Sequence, residues 1–386
     1  MKFNPPSVLK AGIALAVLMI SVGCGGGSPS LGGCAGCPSA NLAVLYLGKP
    51  GQIQVFPINA TTGALGAPST ISVPGAGGFI ATPDSKFMYL SDPKSNQVDA
   101  FTIDATTGIL TPVAGSPFAL NSNTQTAAGV GMDPAGKFLY VTDLYGSDIL
   151  AFSINGATGS LTPVPSSPFN SGFYPAKVLV SSSNFAEVVD IGLGIGGISS
   201  YALNPATGTL TPGVSGPMTY LTSAGAEDIV MHNSGKYLYM SQGTTSSDSG
   251  VAAFTLDQTT GFPTPFTGMA FPTGLTPGSM VTDPSTKFLY TANTGDGTIS
   301  GFSIDSATGT LTPVPGAPFS ATITPAPGWL IQFQLAIDPS ARFLYATNPQ
   351  KQSISVFGIS SDGSLRPLGN TPLTAQPGEM LTIKLP

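Results

Sequence analysis

The chain has 386 residues, enough for a large core and too many for one ordinary sandwich. Charged residues make up only 8% of it while Gly (49) and Pro (36) are abundant, so the polar surface must come from Ser, Thr and Asn, and strands and turns are favoured over helices. A net charge of −6, with arginine only at 342 and 366, argues against a nucleic-acid partner, which needs a basic footprint.

The first element is an export signal, residues 1–23. Lys2 and Lys10 give a positive start, and "AGIALAVLMISVG" (11–23) is an apolar run too short to span a bilayer comfortably. It ends at Cys24 after Ser21-Val22-Gly23. Small residues before a cysteine resemble a bacterial lipobox, which implies a lipid on Cys24; Ser21 stands where such motifs usually carry Leu. A second acceptor position is Cys34, after "LGG", and a plain signal peptide is the other reading. The localisation that follows is extracytoplasmic: a membrane-anchored bacterial lipoprotein, periplasmic or on the cell surface, or else a secreted protein. Residues 24–40 then read as a Gly/Ser/Cys tether. Cys34 and Cys37 form a lone C-x-x-C in it; a metal site needs about four ligands, so the pair is a disulfide candidate and no metal or cofactor is expected.

Residues 41–386 are repetitive. The aromatic of "AFSI" recurs as Phe56, Phe101, Phe152, Tyr201, Phe254, Phe302 and Phe357. A glycine follows seven residues after the first six of these, and Asp362-Gly363 makes the last turn one residue early. Seven copies at a spacing of about 50 residues indicate a stacked or circular architecture. Each copy reads as four strands: in one, "SMVTD" (279–283), "KFLYTAN" (287–293), "TISGFSI" (298–304) and "TLTPVPG" (310–316). The fourth carries Pro112, Pro163, Pro212 and Pro313 in successive versions; proline cannot donate to a ladder, so this strand is an outer edge. The first copy opens at "NLAVLYLG" (41–48), a second strand without a first, and the chain ends on "GEMLTIKLP" (378–386), a first strand without a second. The fold class is therefore all-β: a seven-bladed β-propeller of four-stranded antiparallel blades, its ring closed by the C-terminal strand completing the N-terminal blade.

"KFLYVTD", "KFLYTAN" and "RFLYATN", each followed by an "SI", "TI" or "DI" strand and a Gly turn, resemble YVTN-type repeats, and more specifically the lactonase-like seven-bladed propellers, the group that contains 6-phosphogluconolactonases and fungal carboxymuconate cyclases. The resemblance covers residues 41–386. It implies a lactone hydrolase or cyclase whose innermost strand opens with Pro-Arg-His and whose second strand ends in Asn-Glu. Here the matching openings include Pro277-Gly278-Ser279, Pro175-Ala176-Lys177, Ala226-Glu227-Asp228 and Phe333-Gln334, none with Arg-His. The residue after the second strand is Pro50, Pro93, Leu144, Ile191, Gly243, Thr294 or Pro349, never Glu. A general acid–base pair needs titratable groups there, so the family's catalytic groups do not carry over to these positions.

One face of the ring repeats its turns almost verbatim, whereas the other varies in length and content, and variable loops on a rigid scaffold are where ligands are met. On that face Asp92, Asp143 and Asp190 end the second strand; they could gather a hard cation or a sugar hydroxyl, or each could cap its own loop, as Asn293 and Asn348 in the same slot suggest. Lys177, Glu227 and Asp228 open innermost strands and could line the channel mouth, or form a solvated ion pair. Trp329, the only Trp, sits in the longest insertion and could stack on a sugar or a partner, or pack under its own loop. Glu187 replaces the Tyr of "FLY", as a functional departure or as a frayed blade. His232 falls in a turn on the invariant face, and no Gly-x-Ser-x-Gly elbow or triad is present. The expected role is a ligand- or protein-binding module acting through the variable face on an unknown carbohydrate, small molecule or protein, with no confident catalytic residue. The alternatives are a lactone hydrolase or cyclase with relocated groups and a structural cell-surface component.

Overall fold

Runs of six or seven alternating residues bounded by turn formers give strands that bury both faces. The computed structural model describes residues 42–120, 124, 126–191, 196–213, 218–222, 225–243, 249–266, 270–321 and 333–386. Residues 1–41, with Cys24, Cys34 and Cys37, and Trp329 lie outside the described residues. From Ser39 onward the chain is one compact unit. Its strands form seven antiparallel sheets.

Blade 1 is built from both ends of the chain. Met380–Lys384 is its innermost strand, followed outward by Ala43–Lys49, Gln52–Ile58 and Ser69–Ser72. The closing ladder runs from Ala43 opposite Lys384 to Leu47 opposite Met380. The innermost strands of blades 2 to 7 are Phe79–Ala81, Ala127–Met132, Pro175–Val180, Ala226–Met231, Pro277–Thr282 and Leu335–Ile337. Met380–Lys384 lies against the innermost strands of both blade 2 and blade 7, so the ring closes as the ends of the sequence indicate.

The outer edge differs from the sequence reading. In blade 6 the fourth strand spans only Leu311–Pro313, not 310–316. Pro313 and Pro315 have no N–H to donate. Val314 still donates to Gly301 O at 3.0 Å, and the chain then turns and returns as Phe319–Ser320 along the other half of the same third strand. Blades 2, 3 and 5 show the same split edge, and blade 4 a longer returning strand, Met218–Thr222.

Blades pack face to face through hydrophobic clusters that each draw on two neighbours, such as Tyr46, Val55, Met88, Leu90 and Phe101 between blades 1 and 2. The tyrosine in the "FLY" slot fastens six of the seven interfaces. Its buried hydroxyl donates to the carbonyl of the turn glycine one blade ahead: Tyr46 to Gly108 (2.7 Å), Tyr89 to Gly159 (2.9 Å), Tyr140 to Gly208 (3.0 Å), Tyr239 to Gly309 (2.8 Å) and Tyr290 to Gly363 (2.7 Å). Tyr345 of blade 7 reaches Gly63 of blade 1 at 2.9 Å, a second clasp across the closure. These turns require glycine twice over. Gly159 sits at φ 73°, and a Cβ there would lie 2.4 Å from the Phe87 ring.

Blade 4 lacks this fastening, because Glu187 stands in the tyrosine slot. The substitution is paired. In five blades the residue opposite the tyrosine is Ala100, Ala151, Ala253, Gly301 or Val356; opposite Glu187 it is Ser200. The Ser200 hydroxyl bonds Glu187 Oε2, and Oε1 has no hydrogen-bond partner among the described residues. Glu187 is fully buried and its strand, Phe185–Asp190, is regular and buried throughout, so this blade does not fray. Burial holds the carboxyl well above its ordinary range, with the Ser200 hydroxyl pulling the other way.

Candidate functional site

The innermost strand of a propeller is a sheet edge facing the channel. Near the variable face four consecutive blades insert one extra residue into it: the register slips between Val141 and Asp143, Pro175 and Lys177, Ala226 and Asp228, and Pro277 and Met280 with their partners. Bulges of this kind re-aim side chains at barrel rims. Hydroxyls of the second strands hold the bulged backbone. Thr142 Oγ1 accepts from Gly129 N (2.9 Å), Ser241 Oγ from Asp228 N (3.0 Å) and Thr347 Oγ1 from Gln334 N (2.7 Å), and Ser241 donates onward to Gly278 O of the next blade (2.8 Å).

Counting along these registers places seven residues at one level of the ring: Glu379, Gly78, Gly129, Lys177, Asp228, Ser279 and Gln334 in blades 1 to 7. Blades 2 and 3 contribute no side chain there, and the other five are all polar. Lys177 Nζ lies 2.6 Å from Asp228 Oδ1, with the side chains 35% and 13% exposed, so the pair is shielded on one partner and open on the other. Asp228 also accepts from Ile229 N and, across the blade boundary, from Met280 N, both at 2.8 Å. Ser279 accepts from Leu335 N at 3.2 Å in the same manner. These side chains satisfy edge N–H groups that face the channel.

Glu379 completes the cluster. It is half-buried. Burial pushes its carboxyl up to about 7; the Lys177 charge pulls it down and the Asp228 charge pushes it up. A carboxyl in that range, beside an ammonium, can exchange a proton near neutral pH or accept a ligand hydroxyl. Glu227 occupies the extra position of its bulge and is half-buried.

The second-strand aspartates are separate from this cluster. All three are buried. Asp92 Oδ1 accepts from Lys94 N (2.9 Å) and Ser95 N (3.1 Å) of its own loop. Asp143 Oδ1 accepts from Gly146 N (3.1 Å) and from Thr126 N (2.8 Å) of the incoming connection. Asn348 and Asn293 do similar work: Asn348 Oδ1 takes Lys351 N at 3.0 Å, and the Asn293 amide oxygen takes the Thr298 and Ser300 hydroxyls at 2.8 and 2.9 Å. Asp190 Oδ2 accepts from the Ser199 hydroxyl; burial pushes this carboxyl up to about 7 against the pull of Ser199 and Ser171. Beside Asp92, Asp99 is pushed up to about 6 by burial and then by the Asp92 charge. Among the described residues no three His, Cys, Asp or Glu side chains are grouped so as to hold a metal ion. His232 takes the place of the turn aspartates Asp133, Asp283 and Asp338, its Nδ1 accepting from Ser234 N at 3.1 Å.

The structure is a closed ring of seven four-stranded blades, and one level of its innermost strands carries a lysine, two interacting carboxylates and two neutral polar side chains. The chain belongs to the seven-bladed β-propeller lactonase family, whose model matches residues 38–215 and 130–324. Among solved structures it is similar to the periplasmic gluconolactonase of Pseudomonas aeruginosa, at 17% identity and a TM-score of 0.73, covering 89% of this chain and 100% of that one. It is also similar to a candidate 6-phosphogluconolactonase of Bacteroides fragilis (19% identity, TM-score 0.69, 89% and 98% covered) and to one of Bacteroides uniformis (18%, 0.70, 89% and 100%). At these identities the likeness concerns the fold. No curated protein matches the sequence.

Proposed function

We propose that this protein is an exported, lipid-anchored member of the lactonase family that binds a small polyhydroxylated molecule, a sugar acid or its lactone, at the channel mouth. The observation that carries the reading is the Lys177–Asp228 pair, 2.6 Å apart, on one level of the ring with Glu379. A lysine already neutralised by one carboxylate and open on its other side offers N–H donors to a carboxylate or carbonyl oxygen, and Asp228 and Glu379 accept hydroxyls. Export is supported by the apolar run before Cys24 and by the periplasmic gluconolactonase among the structural neighbours. The anchor has a direct test: metabolic palmitate labelling of the wild type should be lost in Cys24→Ser. Equal labelling of the two proteins removes the anchor, and loss only in Cys34→Ser moves it.

A second reading is favoured by one specific feature, the Glu379 carboxyl poised near 7 beside Lys177: hydrolysis of a lactone with Glu379 as the base that activates water. It has no Arg-His and no second-strand Glu to support it, so binding without turnover is the expected result. One preparation tests both readings. Titration with D-gluconate and D-glucono-1,5-lactone should show saturable binding that Lys177→Ala weakens about tenfold or more, the scale of a hydrogen bond to a charged group. Unchanged affinity in Lys177→Ala sinks the channel-mouth site. Lactone turnover above buffer that disappears in Glu379→Gln would establish the hydrolase instead.

A further inference from the structure

Four large apolar side chains are markedly exposed among the described residues: Ile109, Tyr145, Phe173 and Leu275. Ile109 lies on the invariant face, in the turn before the fourth strand of blade 2, and the other three lie on variable-face loops. Two of these three lie on loops that meet. Tyr145 (57% exposed) tips the loop between the second and third strands of blade 3, and Phe173 (71% exposed) sits in the connection from blade 3 to blade 4. Tyr174, next in the chain, packs edge-on against Tyr145 with ring centroids 5.8 Å apart.

The backbone around these rings is fixed. Ser171 N donates to Ser147 O at 2.8 Å, tying the two loops together, and Ile191 N donates to Tyr174 O at 3.0 Å. Gly146 N and Ser147 N are both held by Asp143. Tyr174 sits at φ 58°, as Gly225 (75°) and Thr276 (52°) do at the matching places before the innermost strands of blades 5 and 6, so the backbone here follows the connection's common course.

The surroundings select the ligand. Along the two loops the rings are flanked by Gly146, Ser147 and Asp148 on one side and Asn170 and Ser171 on the other. Separate aromatic faces set among amide, hydroxyl and carboxylate groups match a pyranose, whose C–H face stacks on an aromatic and whose hydroxyls need donors and acceptors at its rim. Tyr174 lies three residues before Lys177 along the opening strand. That is about 10 Å of extended chain, further than one sugar ring reaches.

We infer that Tyr145, Phe173 and Tyr174 form a carbohydrate subsite on the rim of the variable face, which takes a sugar unit of a neutral oligosaccharide whose next units run toward the channel mouth. The inference rests on the proposed reading of the mouth as a site for polyhydroxylated ligands and extends it from a single sugar acid to a chain. The test uses the full-length protein and four probes: cellotetraose, maltotetraose, xylotetraose and tetra-N-acetylchitotetraose, titrated by calorimetry to millimolar concentration beside D-gluconate. At least one tetrasaccharide should bind, and Tyr145→Ala with Phe173→Ala should weaken it about tenfold or more while D-gluconate binding and the melting temperature stay unchanged. Both side chains are exposed, so the double variant keeps the fold. Binding of none of the four, or tetrasaccharide binding that the double variant leaves intact, overturns the subsite. Lys177→Ala separates the two readings: tetrasaccharide affinity that depends on the aromatic rings but not on Lys177 keeps the subsite and removes the mouth, and D-gluconate affinity that depends on Lys177 with no tetrasaccharide binding does the reverse.

Discussion

Removing residues 379–386 should abolish cooperative unfolding. The deletion takes away the innermost strand of blade 1, whose ladder to Ala43–Lys49 is the covalent-free seam of the ring. It also strips Met380, Ile383 and Leu385, all buried, from the clusters on both sides of that blade. Each such side chain contributes about 1.5–3 kcal/mol on burial, against about 5–15 kcal/mol for an entire fold. The loss does not stop there. The exposed edge of Ala43–Lys49 becomes an unpaired template for another chain, and the Thr382 hydroxyl bond to Ile337 O, which joins blade 1 to blade 7, is lost. The Tyr345–Gly63 clasp remains but spans a ring that no longer closes at its centre. Thermal melting followed by circular dichroism, with sedimentation to detect association, measures the result. The expectation is a broad or absent transition with aggregation, and a truncated protein that melts like the wild type would show that this strand does not close the ring.

This closure was legible in the sequence because two incomplete copies sat at opposite ends of the chain and each supplied what the other lacked. The inner three strands were legible for a similar reason: the "FLY" tyrosine and the turn glycine share one hydrogen bond at six of the seven interfaces, and the "AFSI" aromatic of the next blade packs in the same cluster as that tyrosine, so they recur as text. The fourth strand was over-read, because the prolines that mark it as an edge also end it at Pro313. At the site, Lys177 and Asp228 stood out as charges in a charge-poor chain. Glu379 did not, although it holds the same level of the ring. Finding it requires the register, in which Glu379 lies opposite Gly48 as Lys177 lies opposite Val189. The bulges that set this level were not readable, because the innermost strands carry little repeated text. The aromatic rim was missed because Tyr145 and Phe173 lie in loops with no counterpart elsewhere in the chain, and proximity between two such loops is a property of the fold alone.

Restoring the repeat at Glu187 should stabilise the protein, and more so as pH rises. The double variant Glu187→Tyr with Ser200→Ala rebuilds the pairing seen in blades 2, 3 and 5, where tyrosine faces alanine. The new hydroxyl is placed to reach the carbonyl of Gly261, the turn glycine one blade ahead, whose φ of 73° matches that of the other clasped glycines. That hydrogen bond adds about 1 kcal/mol and the aromatic ring about 2 kcal/mol of burial. Ser200→Ala opens the space that the ring occupies in the other blades. The pH dependence follows from the direction of the Glu187 shift. Burial raises its folded-state pKa above the unfolded value, so its favourable contribution as a neutral acid is complete below the unfolded carboxyl range. That contribution is lost progressively as pH climbs toward the folded value, because the unfolded chain releases the proton first. Asp99, Asp190 and Glu379, pushed up to about 6, 7 and 7, impose the same slope on both proteins and cancel in the difference. Urea unfolding of wild type and double variant at pH 4, 6 and 8 measures that difference directly. The variant should be more stable at pH 6 and pH 8, with a margin that widens from pH 4 upward. A margin that does not change with pH would mean that Glu187 is charged in the folded protein, and a single Glu187→Gln variant, which keeps the shape and removes the titration, should then show no pH-dependent gain either.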